Sequence, residues 1–199
     1  MAGNVRKHAR DVASRDVNRF LRHVTLEGRN PLRNRVVACL SFFAGLRAGE
    51  IANLRWRMVL NAEGEVGEFL LLEDVAAKKL SGRLIPLKVE ARSALRDYLA
   101  SIGSTPQRDE LVLRSERGGH LKAQSIINWF RDRYAELGLA GASSHSGRRH
   151  FVTMAARKIG EVGGSLRDVQ DLAGHRALST TQLYIAKSPD AQRRVVDLI

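Results

Sequence analysis

Apolar residues recur along this chain mostly at the three- and four-residue spacing of a helix, interrupted by one stretch whose short apolar runs read as strand. The first helical stretch follows Ser14, a suitable cap, and runs through RDVNRFLRHV with Val17, Phe20, Leu21 and Val24 on one side. Residues 28–31 break it. Pro31 then suits the first turn of a second helix, LRNRVVACLSFFA, apolar enough to pass through a core and ended by Gly45. Arg47 and Glu50 follow, three apart and so on one face of the next helix, ahead of IANLRW. Between Val59 and Leu87 the texture changes. Residues 61–67 read as a turn, EFLLLED and RLIPL as two antiparallel strands, and residues 78–82 as the turn between them.

Helix returns at EARSALRDYLASI, with Leu95, Tyr98, Leu99 and Ile102 on one side. A loop carrying Pro106, a short ELVLR strand and a turn at Gly118 and Gly119 come next. SIINWFRDRYAELG is amphipathic, ends at Gly138, and directs Trp129, Phe130 and Tyr134 to the core. The last third is helical: it opens near Ser144, stops at Gly160, restarts at Ser165 and breaks at Gly174 and His175. Thr180 and Thr181 begin a short helix that carries Tyr184. After Ser188 and Pro189 a final helix, DAQRRVVDLI, offers Val195, Val196 and Leu198 for packing. The expected fold class is mixed α+β, mainly α-helical with a small antiparallel β-sheet. With no repeat and no clear linker, residues 1–13 read as a basic arm and residues 14–199 as one domain.

Composition narrows the class. Hydrophobic residues at 44% and charged residues at 27% of a 199-residue chain fit a globular protein with one filled core. The longest apolar run, VVACLSFFAGL, is too short to span a bilayer, and no signal peptide opens the chain. The single cysteine, Cys39, excludes a disulfide framework and a cysteine-based zinc site, and the expected setting is cytoplasmic. Charge changes the picture most. The chain carries a formal net charge of +12, and residues 1–60 hold twelve Lys or Arg against four acids. Such a surplus favours a polyanionic partner, most simply nucleic acid.

The chemistry concentrates between His145 and Tyr184. That stretch supplies His145, Arg148, His175 and Tyr184, a set unlike a metal site but suited to a phosphate. An arginine neutralises it, histidines donate hydrogen bonds, and a tyrosine can attack it. His145 and His150 are five apart, which is not metalloprotease spacing, and His150 reads as structural or as a support behind the site. His8, His23 and His120 sit in polar surroundings and receive no role. Arg149 reads as an exposed or DNA-backbone charge.

Four motifs, FAGLRAGEIANLRW, KKLSGRLIPL, HSGRRHF and LAGHRALSTTQLY, occur in an order that resembles the tyrosine recombinase or phage integrase family, with His175 and Tyr184 nine apart. The resemblance covers nearly the whole of that family's catalytic domain. It implies that Arg47 and Arg148 grip the scissile phosphate, that Tyr184 is the nucleophile, and that His145 and His175 are the two histidine positions. Lys78, with Lys79 as fallback, matches the hairpin lysine that acts as general acid, and Glu50 the acid supporting the site from behind. Arg83 and Arg149 are expected to contact DNA. Where many relatives read His-Asp-Leu-Arg, this chain has Ser146 and Gly147, and Ala173 stands where Leu is frequent; both departures are read as packing variation.

The implied activity is site-specific breakage and rejoining of double-stranded DNA through a 3′-phosphotyrosyl link, with no cofactor or metal and with four protomers assembled on DNA. A type IB topoisomerase shares these groups, and a non-cleaving DNA-binding regulator is the rival outside enzymes. Larger members carry an N-terminal helical domain that closes around DNA. The residues ahead of the helix leading to Arg47 are too few for it, so the chain is expected to be a fragment or a single-domain recombinase.

Overall fold

Helical periodicity in the first third folds as its spacing requires. The computed structural model describes residues 11–74, 76, 82–185, 189–197 and 199. Helix α1 (Ser14–Leu26) buries Val17, Phe20 and Val24, and α2 (Pro31–Phe43) buries nearly every residue of its second half. Ala13 rather than Ser14 stands at the α1 N-cap, and no side chain caps it. The aromatic residues of the core gather on Phe20, whose ring lies 5.4 Å from Phe42, 5.8 Å from Phe130 and 4.8 Å from Tyr134. Around α2 pack α1, the short α3 (Ala48–Ala52), α4 (Val89–Ser101) and α6 (Ser146–Lys158), while α5 (Ala123–Glu136) lies against α1 and α3. Phe130 and Tyr134 of α5 are buried and Trp129 is half-buried.

Strands β1 (Phe69–Leu72) and β2 (Arg83–Pro86) pair antiparallel, Leu70 opposite Ile85 and Leu72 opposite Arg83. Leu70, Leu72 and Ile85 face the core, while Phe69, Leu71 and Leu84 stand exposed on the other side. This is the side-chain alternation of a strand with one buried face. The mixed fold, mainly helical with a small antiparallel sheet, is the one the periodicity predicts.

The chain's last third builds the floor of the site. Helix α7 (Leu166–Ala173) starts at Ser165, whose hydroxyl accepts from the Arg167 amide while Asp168 accepts from the Ser165 amide, a reciprocal cap. Gly174, at φ +60, ends it. Helix α8 (Leu178–Gln182) and α9 (Pro189–Val196) follow. Val152, Val169 and Ala173 form a second, smaller core, and Phe151, Ala155, Ile159 and Tyr184 pack on it.

Five local expectations are corrected. ELVLR forms no strand, because its pairing is limited to isolated bridges such as Arg55 with Leu111 and Arg114 with His120. Ile102 lies past the end of α4 and is exposed. The helical path does not stop at Gly160 but tightens into a 3₁₀ turn over Ile159–Val162 and ends at Gly163, φ +75. Helix α8 begins at Leu178, ahead of the two threonines. Val195 and Val196 are exposed rather than packed. Leu198, Ser188, His8 and most of the turn over residues 78–82 lie outside the described residues, as do the first ten residues of the basic arm.

Candidate active site

Arg148 is the centre of the site. It sits in the first turn of α6, only 3% exposed, and its guanidinium donates to the Gly45 carbonyl at 2.7 Å and to the Ala173 carbonyl. One side chain thus joins the end of α2, the start of α6 and the end of α7. Gly147 allows the approach: a Cβ there would lie 2.2 Å from Ser41 Oγ on α2, so a residue without a side chain suits this close packing.

Arg47 precedes α3, and its backbone amide and guanidinium both donate to Glu50, at 2.9 and 2.6 Å. Its side chain is 29% exposed and Glu50 is 1% exposed, so the carboxylate holds Arg47 from behind. Arg83 reaches the same carboxylate from β2, at 3.2 and 3.1 Å, and donates through Nε to the Leu172 carbonyl at 2.9 Å. Arg83 is expected from the sequence to contact DNA; in the structure its guanidinium is engaged within the fold. Its side chain is 6% exposed and its guanidinium is engaged by Glu50, which makes it a brace beneath the site.

Electrostatics follow from this count of charges. Three guanidiniums, Arg47, Arg83 and Arg148, surround one carboxylate, leaving an excess of positive charge. Burial lowers the pKa of Arg148, and Arg47 and Arg83 lower it further while Glu50 opposes them. An arginine keeps its proton, so this is a standing preference for an anion at the site. Burial alone would raise the Glu50 pKa, but the hydrogen bond and charge of Arg83, then those of Arg47, leave it below its ordinary 4.5.

A prediction arises here. Replacing Glu50 by Gln keeps the shape but leaves two guanidiniums uncompensated, and is expected to cost about 3–5 kcal/mol of stability. Because the folded-state pKa is depressed, the wild-type advantage is present above about pH 4.5 and lost as pH falls through the folded value. Thermal unfolding of both proteins from pH 7 to 3 checks it; a gap that stays constant with pH would show that the carboxylate's charge is not the cause.

The two histidines differ. His145 stands exposed at the α6 N-terminus, its pKa lowered by partial desolvation, then by Arg148 and Arg47. His175 is 8% exposed, and burial followed by Arg148, Arg47 and Arg83 brings it to about 4. Both are therefore neutral at pH 7. His175 Nδ1 lies 3.0 Å from Thr181 Oγ1, and its carbonyl accepts from Gln170 Nε2 at 2.9 Å. Sequence reasoning missed Thr181 as a member of the site; its position three residues before Tyr184 was the one signal.

Tyr184 is half-buried on the turn after α8, its amide donating to the Thr181 carbonyl at 3.0 Å. Its ring stacks on His175, centroids 5.6 Å apart and planes 21° apart, and the Arg149 guanidinium lies over it at 5.5 Å. Arg148 lies close enough to Tyr184 for the two to interact electrostatically. Arg47, Glu50, His145, Arg148, His175 and Tyr184 therefore meet in one place. Lys78 and Lys79 lie outside the described residues. His150 is structural, with Nδ1 2.9 Å from the Val12 carbonyl. A cleft of about 590 Å³ between α1, α2 and α6, lined by Leu21, Phe42 and Met154, contains none of the site residues. Among the described residues no group of three His, Cys, Asp or Glu is placed to hold a metal ion.

Comparison with known proteins agrees with this geometry. The family model described as Phage integrase family matches residues 10–190. Tyrosine recombinase XerC of Xylella fastidiosa (strain 9a5c) is 32% identical over 154 residues, covering 77% of this chain and 48% of that protein. The chain thus spans about half the length of such relatives. Among solved structures, the Tn1549 transposon integrase in complex with a circular intermediate DNA superposes with a TM-score of 0.76 at 16% identity, over 100% of this chain and 68% of the integrase chain. XerA recombinase does so with a TM-score of 0.73 at 21% identity, over 96% and 65%. At those identities the structural likeness is one of fold.

Proposed function

The chain belongs to the phage integrase family, and from that premise we propose that it is a site-specific tyrosine recombinase that cleaves and rejoins double-stranded DNA. The observation that carries the reading is Tyr184 stacked on neutral His175 beside buried Arg148, with Arg47 held next to them by Glu50. Relatives named tyrosine recombinases and a structural neighbour solved on DNA support it.

In the proposed reaction the Tyr184 phenol oxygen attacks the scissile phosphorus, and the bond from phosphorus to the 5′ oxygen breaks. Charge building on the non-bridging oxygens is met by the Arg47 and Arg148 guanidiniums, whose paired hydrogen bonds a lysine cannot copy. A free phenol is a weak nucleophile at neutral pH, so the attack needs a group that takes its proton. Exposed, neutral His145 or a water accepts the phenol proton. The departing 5′ oxygen takes a proton from Lys78, the proposed general acid. The resulting 3′-phosphotyrosyl link keeps the energy of the broken bond, so the reverse attack by a 5′ hydroxyl restores the strand without ATP. Arg149 contributes to DNA contact in this reading, and recombination of two duplexes takes four protomers assembled on DNA.

Trapping on a nicked or suicide DNA substrate tests the proposal. A covalent adduct whose peptide contains Tyr184 is the expected product, and its mapped position identifies the cleavage site. No adduct with any strand bearing the cognate site would sink the reading. Saturating EDTA is expected to leave the adduct yield unchanged within about twofold, as electrostatic stabilisation comes from arginines. Loss on chelation with recovery on adding magnesium would refute this mechanism.

A further inference from the structure

The hydroxyl of Thr181 is fully buried and lies 3.0 Å from Nδ1 of His175, itself 8% exposed. A neutral imidazole carries one proton, so this contact can run in either direction. The surroundings decide between them. Among the described residues the Thr181 hydroxyl has His175 as its partner and no other acceptor. If Nδ1 carried the proton and donated, the hydroxyl proton of a side chain with no exposed surface would be left unpaired, which is costly. If the hydroxyl donates, both groups are satisfied, and the single ring proton is on Nε2 at the opposite edge of the ring.

We infer that Thr181 is a positioning residue for His175: its hydroxyl donates to Nδ1 and holds the ring proton on Nε2, making His175 a hydrogen-bond donor to the phosphate and not the acceptor of the Tyr184 proton. The inference rests on the recombinase reading of the site. The lowered His175 pKa, about 4, agrees with a ring that stays neutral and so has a tautomer to fix. It also divides the labour between the histidines. Buried His175 donates, while exposed His145 is the one free to accept and release a proton. Thr181 further joins the two reacting elements, because its carbonyl accepts the Tyr184 amide at 3.0 Å. One residue therefore sets the imidazole's proton through its side chain and the nucleophile's turn through its backbone. Substituting the side chain alters only the first.

The test uses the full chain with ¹⁵N-labelled histidine. Its nitrogen spectrum at neutral pH, with the His175→Gln protein identifying the signal, is expected to show the proton on Nε2; a proton on Nδ1 overturns the inference. Single-turnover cleavage of a suicide substrate at saturating DNA supplies the second arm. Thr181→Val is expected to be roughly tenfold slower, the worth of about one hydrogen bond, with DNA affinity unchanged within about twofold. Thr181→Ser is expected to recover most of that loss. A Val variant as fast as wild type, or a Ser variant as slow as Val, overturns the assignment. If Thr181→Val fails to fold, the wild-type spectrum and the Ser variant decide. Absence of any wild-type adduct would instead sink the recombinase reading, and the tautomer would still be read from the spectrum.

Discussion

Tyr184→Phe protein is expected to bind DNA as the wild type does yet form no covalent adduct, with cleavage slowed on the order of 10⁴-fold or more, as when an enzyme loses its nucleophile. The substitution removes one oxygen and little else. The Phe ring keeps the stack on His175, the Arg149 guanidinium above it and the packing against the small core of Val152, Val169 and Ala173. Folding and the arginine pair are untouched, so the loss would be chemical. Denaturing gels after incubation with suicide substrate read it directly. Adducts persisting in this variant would remove Tyr184 from the mechanism.

Arg148→Ala is expected to lower single-turnover cleavage by about 10²–10³-fold, the scale of losing a donor to a developing oxyanion. It is also expected to destabilise the fold, by about 1–3 kcal/mol for each polar partner left buried and unpaired. Both effects come from one geometry. The guanidinium bridges the Gly45 and Ala173 carbonyls, which belong to the two ends of the site. Arg148→Lys is expected to rescue little, because a single ammonium cannot span both carbonyls and still face a phosphate. Arg47, 29% exposed and anchored among the described residues through Glu50, provides the contrast. Arg47→Ala should lose a comparable rate with much less change in melting temperature. Equal stability losses in the two variants would contradict the bridging role given to Arg148.

Local spacing made much of the architecture legible. Val17, Phe20 and Val24 repeat with the helical period because one face of α1 must be buried, and all three are. The short apolar runs in EFLLLED and RLIPL read as paired strands, and packing then decided which face is covered, Leu70, Leu72 and Ile85 occupying it. Ser165 and Gly174 bound α7 because a cap hydroxyl and a left-handed residue act within one turn of chain. Helix boundaries slipped by a few residues, and one element failed because its determining partner is remote. ELVLR has strand composition, yet strand needs a continuous neighbour, and residues near 55 provide only isolated pairing.

The candidate site divides along the same line. By itself the sequence determined which chemical groups exist, their order along the chain, and that an arginine pair, two histidines and a tyrosine suit a phosphodiester. Tertiary structure alone decided what each group is free to do. Arg83 and Arg47 look alike as residues, but Glu50 and the Leu172 carbonyl, 33 and 89 positions away, bury the first while the second stays open to solvent. Thr181 likewise reads as an ordinary helix residue until folding brings its hydroxyl to His175 Nδ1 in a dry interior. The reason is physical: charge state, tautomer and exposure depend on the dielectric and on partners contributed by distant segments, and neither exists until the chain has closed on itself.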